Sequence, residues 1–161
     1  MRKSNNIHLN LLVTGGAGFI GSNLIHRVID QPEIDRLINL DCLTYAGHPE
    51  NLAAVTQHPK YVFAPVDLRD KDAVVEVLRQ HAITHVMHLA AESHVDRSIS
   101  GPGDFVHTNI VGTFNLLEAC RDLWLTADSR VPSPKASRRF HHISTDEVYG
   151  SLGATGYFTE T

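Results

Sequence analysis

The sequence predicts an α/β fold, a doubly wound parallel sheet covered by helices on both faces. Three observations carry that prediction. Short apolar, β-rich runs alternate with segments whose apolar residues recur at helical spacing. A cluster of glycines follows the first apolar run at once, and an acidic residue closes the second. Connections from strand through helix to parallel strand are expected to be right-handed.

Residues 7–13 form the first strand, and glycines between Gly15 and Gly21 follow it. Ile20, Leu24, Ile25, Val28 and Ile29 then mark an amphipathic helix over residues 20–29. Residues 37–40 make a second strand ending at Asp41, and residues 61–66 a third, with Asp67 just beyond. Ala73, Val74, Val77 and Leu78 share one face of a helix over residues 72–81. The fourth strand covers residues 84–89 and leads into Ala90 and Ala91. One long helical pattern spans residues 102–124, and the fifth strand spans residues 140–144. Between them, residues 126–137 carry two prolines and several small polar residues and read as a surface loop. No internal repeat or low-complexity tract interrupts a single domain.

The chain's 161 residues suffice for one domain with its own core. Fourteen Lys and Arg against 18 Asp and Glu give a net charge of −4, which argues against a nucleic-acid partner. No apolar run approaches the ~20 residues that span a bilayer. The basic start Met1-Arg2-Lys3 leads into a run broken by His8 and Asn10, so no signal peptide is expected and a cytoplasmic location is. Cys42 and Cys120 lie far apart. His85 and His88 should face opposite sides of their strand, and the neighbours His141 and His142 diverge, so no metal site is expected.

Thr14-Gly15-Gly16-Ala17-Gly18-Phe19-Ile20-Gly21 contains both G-x-G-x-x-G and G-x-x-G-x-x-G. A strand that turns sharply into a helix while its backbone approaches a pyrophosphate needs side chains absent there. The helix N-terminus then offers free N–H groups and a positive dipole end to the phosphates. Phe19 and Ile20 would donate such N–H groups while their side chains pack inward. Asp41 lies at the end of the second strand, where a carboxylate can accept hydrogen bonds from an adenosine ribose. The same charge would repel the 2′-phosphate of NADP, and no Arg follows directly, so NAD is favoured. An ordinary tight turn and a solvated strand-end acid remain the plainer alternative. The order strand, glycines, helix, acid favours a dinucleotide-binding, Rossmann-type arrangement.

These residues resemble the extended short-chain dehydrogenase/reductase superfamily, and within it the dTDP-glucose 4,6-dehydratases. The resemblance runs from Val13–Ser22 through Asp41–Gly47, Leu89–Ser98 and Thr108–Thr113 to Ser144-Thr145-Asp146-Glu147-Val148-Tyr149-Gly150. The glycine motif marks only the superfamily. Thr145-Asp146-Glu147 is more selective, because related epimerases and decarboxylases usually lack that acid pair. The resemblance implies that Gly15, Gly18, Phe19, Ile20 and Gly21 sit at the pyrophosphate. It places Asp41, Cys42, Leu43 and Thr44 around the adenosine ribose and Asp67 and Leu68 at the adenine. Leu89, Ala90, Ala91, Glu92, Ser93 and Thr108 would serve the nicotinamide half, and Ser93 and Thr145 would also approach the sugar. His94 and Arg97 could assist substrate binding, or Arg97 could pair with Asp96 or cap a loop.

The implied reaction removes water from dTDP-glucose through transient oxidation at C4. Glu147 would take the C5 proton, Asp146 would protonate the departing C6 hydroxyl, and Thr145 would bond the C4 oxygen. Neighbouring carboxyls resist being charged together, which suits an acid and base pair. The superfamily's Tyr-x-x-x-Lys pair is missing: Tyr45, Tyr61, Tyr149 and Tyr157 lack a lysine four residues on, and no lysine follows Lys135. The sequence therefore reads as a truncated NAD-binding domain over residues 1–161, incomplete at its C-terminal end and without its sugar-nucleotide domain. Alone it is expected to be inactive; the full-length parent is expected to be a homodimer through the long helix. Competing readings are a UDP-glucose 4-epimerase, a GDP-mannose 4,6-dehydratase, and a non-catalytic NAD sensor.

Overall fold

The computed structural model describes residues 8–125 and 138–159. The start of the first predicted strand at Ile7 and the predicted loop over residues 126–137 lie outside them. Five strands form one sheet: β1 (Leu9–Thr14), β2 (Ile34–Leu40), β3 (Tyr61–Ala64), β4 (His85–His88) and β5 (Arg139–His142). Their order is β3-β2-β1-β4-β5, and every neighbouring pair is parallel. The helices are α1 (Phe19–Val28), α2 (Lys71–Gln80), α3 (Val95–Ser100), α4 (Pro102–Phe105) and α5 (Thr113–Leu125).

The alternation of strand side chains explains the double winding. Leu12, Ile38, Leu40 and Val86 point to the face covered by α2 and α5, where they meet Val74, Val77, Leu78, Leu116 and Ala119. Leu11, Val13 and Leu37 point the other way, against Ile25 and Ile29 at the α1 side and against Leu52 and Val55. A sheet buried on both faces accounts for the near-continuous apolar runs in β1 and β2. Asp70 caps α2 by accepting from the Ala73 N–H at 3.0 Å.

Several boundaries are corrected. The second strand begins three residues earlier than its apolar run, at Ile34, because Asp35 and Arg36 face solvent within an extended ladder. The third and fifth strands also end earlier, at Ala64 and His142, although the Ile143 N–H still reaches the His88 carbonyl at 3.0 Å. The long helix is helical from Pro102 to Leu125 but passes through a π-helical stretch at Val106–Gly112, and α3 precedes it unforeseen. Apolar spacing over one or two turns does not separate a 3.6-residue repeat from a wider one. Such widened turns concentrate at functional sites. No helix among the described residues is long and apolar enough to cross a membrane.

Candidate functional site

The sheet order reverses between β1 and β4, so the loops leaving their C-terminal ends diverge and open a crevice. A cavity of about 490 Å³ lies there, walled by residues that follow each of the five strands. That size falls in the range of small-molecule sites, roughly 300–1,000 Å³.

The glycine loop forms one wall. Gly15 has φ +69°, and a Cβ there would stand 2.7 Å from the Ala90 Cα, so the loop after β1 presses directly on the loop after β4. At Gly21 a Cβ would meet the Gly15 carbonyl oxygen at 2.2 Å, which makes its absence the condition for α1 to start against the loop. Gly18 differs. Its φ of −74° suits any residue, and the nearest atom to a Cβ there, the Gly15 carbonyl oxygen, is 3.4 Å away. The chain itself does not demand glycine at position 18, which borders the cavity.

Gly18 is also the N-cap of α1, with no side-chain cap and no acid in the first turn. The first N–H groups of α1 are therefore left for another acceptor. Contrary to the expectation, Phe19 and Ile20 do not pack inward: they are 82% and 65% exposed at the cavity wall. The inward face of α1 starts at Gly21, Ser22 and Ile25, and the first turn overhangs the sheet's edge.

Asp41 is buried, and both carboxylate oxygens work within the protein. Oδ2 accepts from the Ala17 N–H at 2.9 Å and Oδ1 from the Leu43 N–H at 2.8 Å. The acid at the end of β2 thus braces the glycine loop and tightens its own turn, in which Leu43 takes φ 55°. Each oxygen keeps a second lone pair for a donor in the cavity. Asp41, Cys42 and Thr44 line the cavity; Leu43 forms the turn behind them and does not. Partial desolvation, together with the Asp67 and Asp41 carboxylates, pushes the Cys42 thiol up.

Asp67 and Leu68 line the cavity after β3, with a partner the sequence did not disclose. Arg69 donates to Asp67 Oδ2 through Nε at 2.8 Å and Nη2 at 2.6 Å. These two donors on one oxygen, with the Arg69 backbone N–H on Oδ1 at 2.9 Å, hold the Asp67 carboxyl below its usual range.

Beyond β4, Leu89, Ala90, Ala91, Glu92 and Ser93 form the opposite wall, joined by Thr108 from the π-helical stretch. Asn109, one residue on, fixes that wall: its amide oxygen accepts from the Glu92 N–H, and its NH₂ donates to the Glu92 carbonyl, each at 2.8 Å. Below it lies a buried network. Thr14 Oγ1 accepts from the Leu89 and Ala90 N–H groups, each at 3.2 Å, and stands 2.6 Å from His88 Nδ1. With its lone pairs engaged, the Thr14 hydroxyl donates to Nδ1, so His88 carries its proton on Nε2 and donates to Thr113 Oγ1 at 2.9 Å. Burial, with nearby His142, pushes the His88 pKa down to about 4, which agrees with a neutral ring.

Tyr45 and Arg97 also line the cavity. Thr145, Asp146 and Glu147 are exposed, in a short 3₁₀ turn that Thr145 starts by accepting from the Glu147 N–H. They stand outside the cavity wall, just beyond Ile143, which belongs to it. No cluster of metal-ligating side chains occurs among the described residues.

Comparison with known proteins follows the same lines. A family model described as GDP-mannose 4,6 dehydratase matches residues 12–161. The curated dTDP-glucose 4,6-dehydratase 1 of Escherichia coli (strain K12) is 54% identical over 144 residues, covering 89% of this chain and 39% of that protein. The crystal structure of dTDP-glucose 4,6-dehydratase from Streptomyces venezuelae with NAD bound superposes with a TM-score of 0.77 at 42% identity, covering 92% of this chain and 43% of that one. A UDP-glucose-4-epimerase structure from Stenotrophomonas maltophila with bound NAD gives a TM-score of 0.73 at 28% identity, over 90% of this chain and 39% of that one. The chain spans about two fifths of the length of the curated relatives it matches.

Proposed function

The chain belongs to the GDP-mannose 4,6 dehydratase family, and from that premise we propose that it is the NAD-binding part of a nucleotide-sugar 4,6-dehydratase acting on dTDP-glucose. The observation that carries this is the convergence, on one cavity, of the uncapped start of α1, the glycine turn and Asp41.

The residues fit the cofactor. Gly18 leaves room where a pyrophosphate would cross, and α1 offers unbonded N–H groups there. Asp41, already fixed by two backbone donors, presents its remaining lone pairs at the end of β2, where ribose hydroxyls would lie. Its charge opposes a 2′-phosphate, and the nearby Arg69 is committed to Asp67, which supports NAD over NADP. The wall of Leu89, Ala90, Ala91 and Ser93, with Thr108, would flank the nicotinamide. When bound, NAD would supply the reversible hydride transfer that the hexose chemistry needs.

The chain's own part in the chemistry is proton handling. Glu147 takes the C5 proton, Asp146 protonates the leaving C6 hydroxyl, and Thr145 bonds the C4 oxygen. Their exposed turn begins two residues after the cavity wall, which lets a sugar reach both. Ser93 stands on the opposite wall to hold that sugar.

Val106 and Ile110 of the π-helical stretch and Phe114 and Leu117 at the start of α5 are exposed apolar side chains. Their exposure supports a homodimer of the full-length protein. A cytoplasmic location follows from the same reading, since the cofactor and nucleotide sugars are supplied there.

Two measurements test the proposal on the full-length protein. Titration with both dinucleotides should show tighter binding of NAD, and equal or tighter NADP binding would reject the cofactor assignment. Incubation with dTDP-glucose should yield a product lighter by one water with no net cofactor reduced. A product of unchanged mass would indicate an epimerase instead.

A further inference from the structure

The cavity's charges leave one question open. Its lining carries the carboxylates Asp41, Asp67, Glu92 and Asp104, and the arginines in the same lining are Arg69 and Arg97. The dipole at the start of α1 amounts to roughly half an elementary charge, too little to balance a diphosphate beside those acids. Arg69 is held by Asp67 through two N–H donors on one carboxylate oxygen.

Arg97 is held differently. Its guanidinium carbon lies 4.0 Å over the centre of the Tyr45 ring. A stacked guanidinium is fixed in orientation while its in-plane N–H donors remain available, which a carboxylate pairing would consume. Tyr45 is itself set in place: its hydroxyl faces the Glu92 carboxylate, and the His94 ring meets it edge-on at 6.5 Å. Glu92 is only 9% exposed and its backbone is clamped by Asn109, yet its Oε2 has no hydrogen-bond partner among the described residues. A buried, unpaired carboxylate oxygen is costly unless an occupant supplies a donor. A diphosphate flanked by hydroxyl-bearing sugars would satisfy both groups, with phosphate oxygens on Arg97 and a hydroxyl on Glu92.

We propose that Arg97, seated on Tyr45, is a diphosphate-binding residue of the cavity and acts across it from the start of α1. Tyr45 is a positioning residue, holding the guanidinium in plane for phosphate oxygens. The inference rests on the nucleotide-binding reading above. Diphosphate occurs both in the dinucleotide and in the nucleotide sugar, and the experiment separates them.

The full-length protein, wild type and Arg97→Gln, is titrated with ADP-ribose, adenosine and dTDP. Arg97 is exposed on a short helix, so the substitution leaves the core intact, which thermal unfolding checks. The expected result is a roughly 10- to 100-fold loss of ADP-ribose affinity with adenosine binding unchanged, as befits charge-assisted bonds to phosphate. Loss confined to dTDP would keep the assignment and move it to the nucleotide sugar. Tyr45→Leu should reproduce part of the loss, Tyr45→Phe should retain wild-type affinity, and the double variant Tyr45→Leu with Arg97→Gln should lose less than the two losses combined. Unchanged affinity for both diphosphates, or equal losses of ADP-ribose and adenosine, would overturn the proposal. Failure of the wild type to bind any of these ligands would instead reject the nucleotide-binding reading beneath it.

Discussion

Replacing Gly18 and Gly21 one at a time by alanine separates what the fold requires from what the cofactor requires. At Gly21 the new methyl would lie 2.2 Å from the Gly15 carbonyl oxygen and 2.7 Å from the Gly16 Cα, both backbone atoms that cannot swing aside. Overpacking of that kind costs about 1–3 kcal/mol, offset by less than about 1 kcal/mol from alanine's better helix propensity. For a domain of this size each kcal/mol shifts Tm by roughly 2–4 °C, so Gly21→Ala should melt several degrees below wild type. At Gly18 the methyl makes an ordinary 3.4 Å contact with the Gly15 carbonyl oxygen in an extended backbone. Alanine is a poorer N-cap than glycine but restricts the unfolded chain, and these terms of about 0.5–1 kcal/mol oppose each other. Gly18→Ala should therefore keep Tm within about 2 °C of wild type, by the same scale.

The cofactor sees the reverse. A methyl at Gly18 enters the space where the pyrophosphate would approach the α1 N–H groups, and a clash of about 1–3 kcal/mol lowers NAD affinity roughly 5- to 150-fold. Calorimetric titration of the full-length protein with NAD, alongside scanning calorimetry without ligand, reads both quantities. Gly18→Ala binding NAD as tightly as wild type would show that the pyrophosphate does not cross this position, and the cradle argument would fail.

Other perturbations follow from single side chains. Asp41→Ala should weaken NAD binding and narrow its margin over NADP, and should also destabilise the fold by about 2–5 kcal/mol, because the Ala17 and Leu43 N–H groups lose their acceptor; urea unfolding unchanged from wild type would contradict that dual role. For His88 the folded pKa of about 4 lies below the ordinary 6.5, so the unfolded chain protonates first as pH falls. Its contribution is complete above about pH 6.5 and drains away toward pH 4, amounting to about 3 kcal/mol. Unfolding of His88→Asn between those limits should show a correspondingly weaker pH dependence, and an unaltered slope would exclude His88 as its source. Glu147→Gln in the full-length protein should slow elimination roughly 100- to 10,000-fold while leaving C4 oxidation intact. Absorbance of reduced cofactor would then build up in stopped flow, and wild-type exchange of the C5 proton into D₂O would remove Glu147 from the role of base.

The sheet was legible because its signal is local and repeated. Leu11, Leu12 and Val13 declare a strand buried on both faces, and glycines, helix and Asp41 follow in one contiguous order. The site was legible for a related reason: in a parallel sheet the residues after each strand converge at one edge, so naming the strand ends names most of the cavity wall. What escaped depends on pairs that only the fold brings together. Thr14 and His88 are 74 positions apart and His88 and Thr113 are 25, and nothing in the spacing of β1, β4 and α5 reveals that one imidazole joins them. Arg97 carries no periodic signal either, because its stacking on Tyr45 joins the loop after β2 to the unforeseen α3. Phe19 and Ile20 misled by composition, since apolar side chains in a helix's first turn overhang the cavity and not the core. Asp41 is the most instructive case. Its position at a strand end pointed to ribose recognition, yet its buried oxygens first hold the glycine loop that would meet the pyrophosphate. On the proposed reading a single carboxylate would couple the shape of the phosphate cradle to the choice of dinucleotide, so a substitution there should disturb both at once, whereas Gly18→Ala should report on the cradle alone.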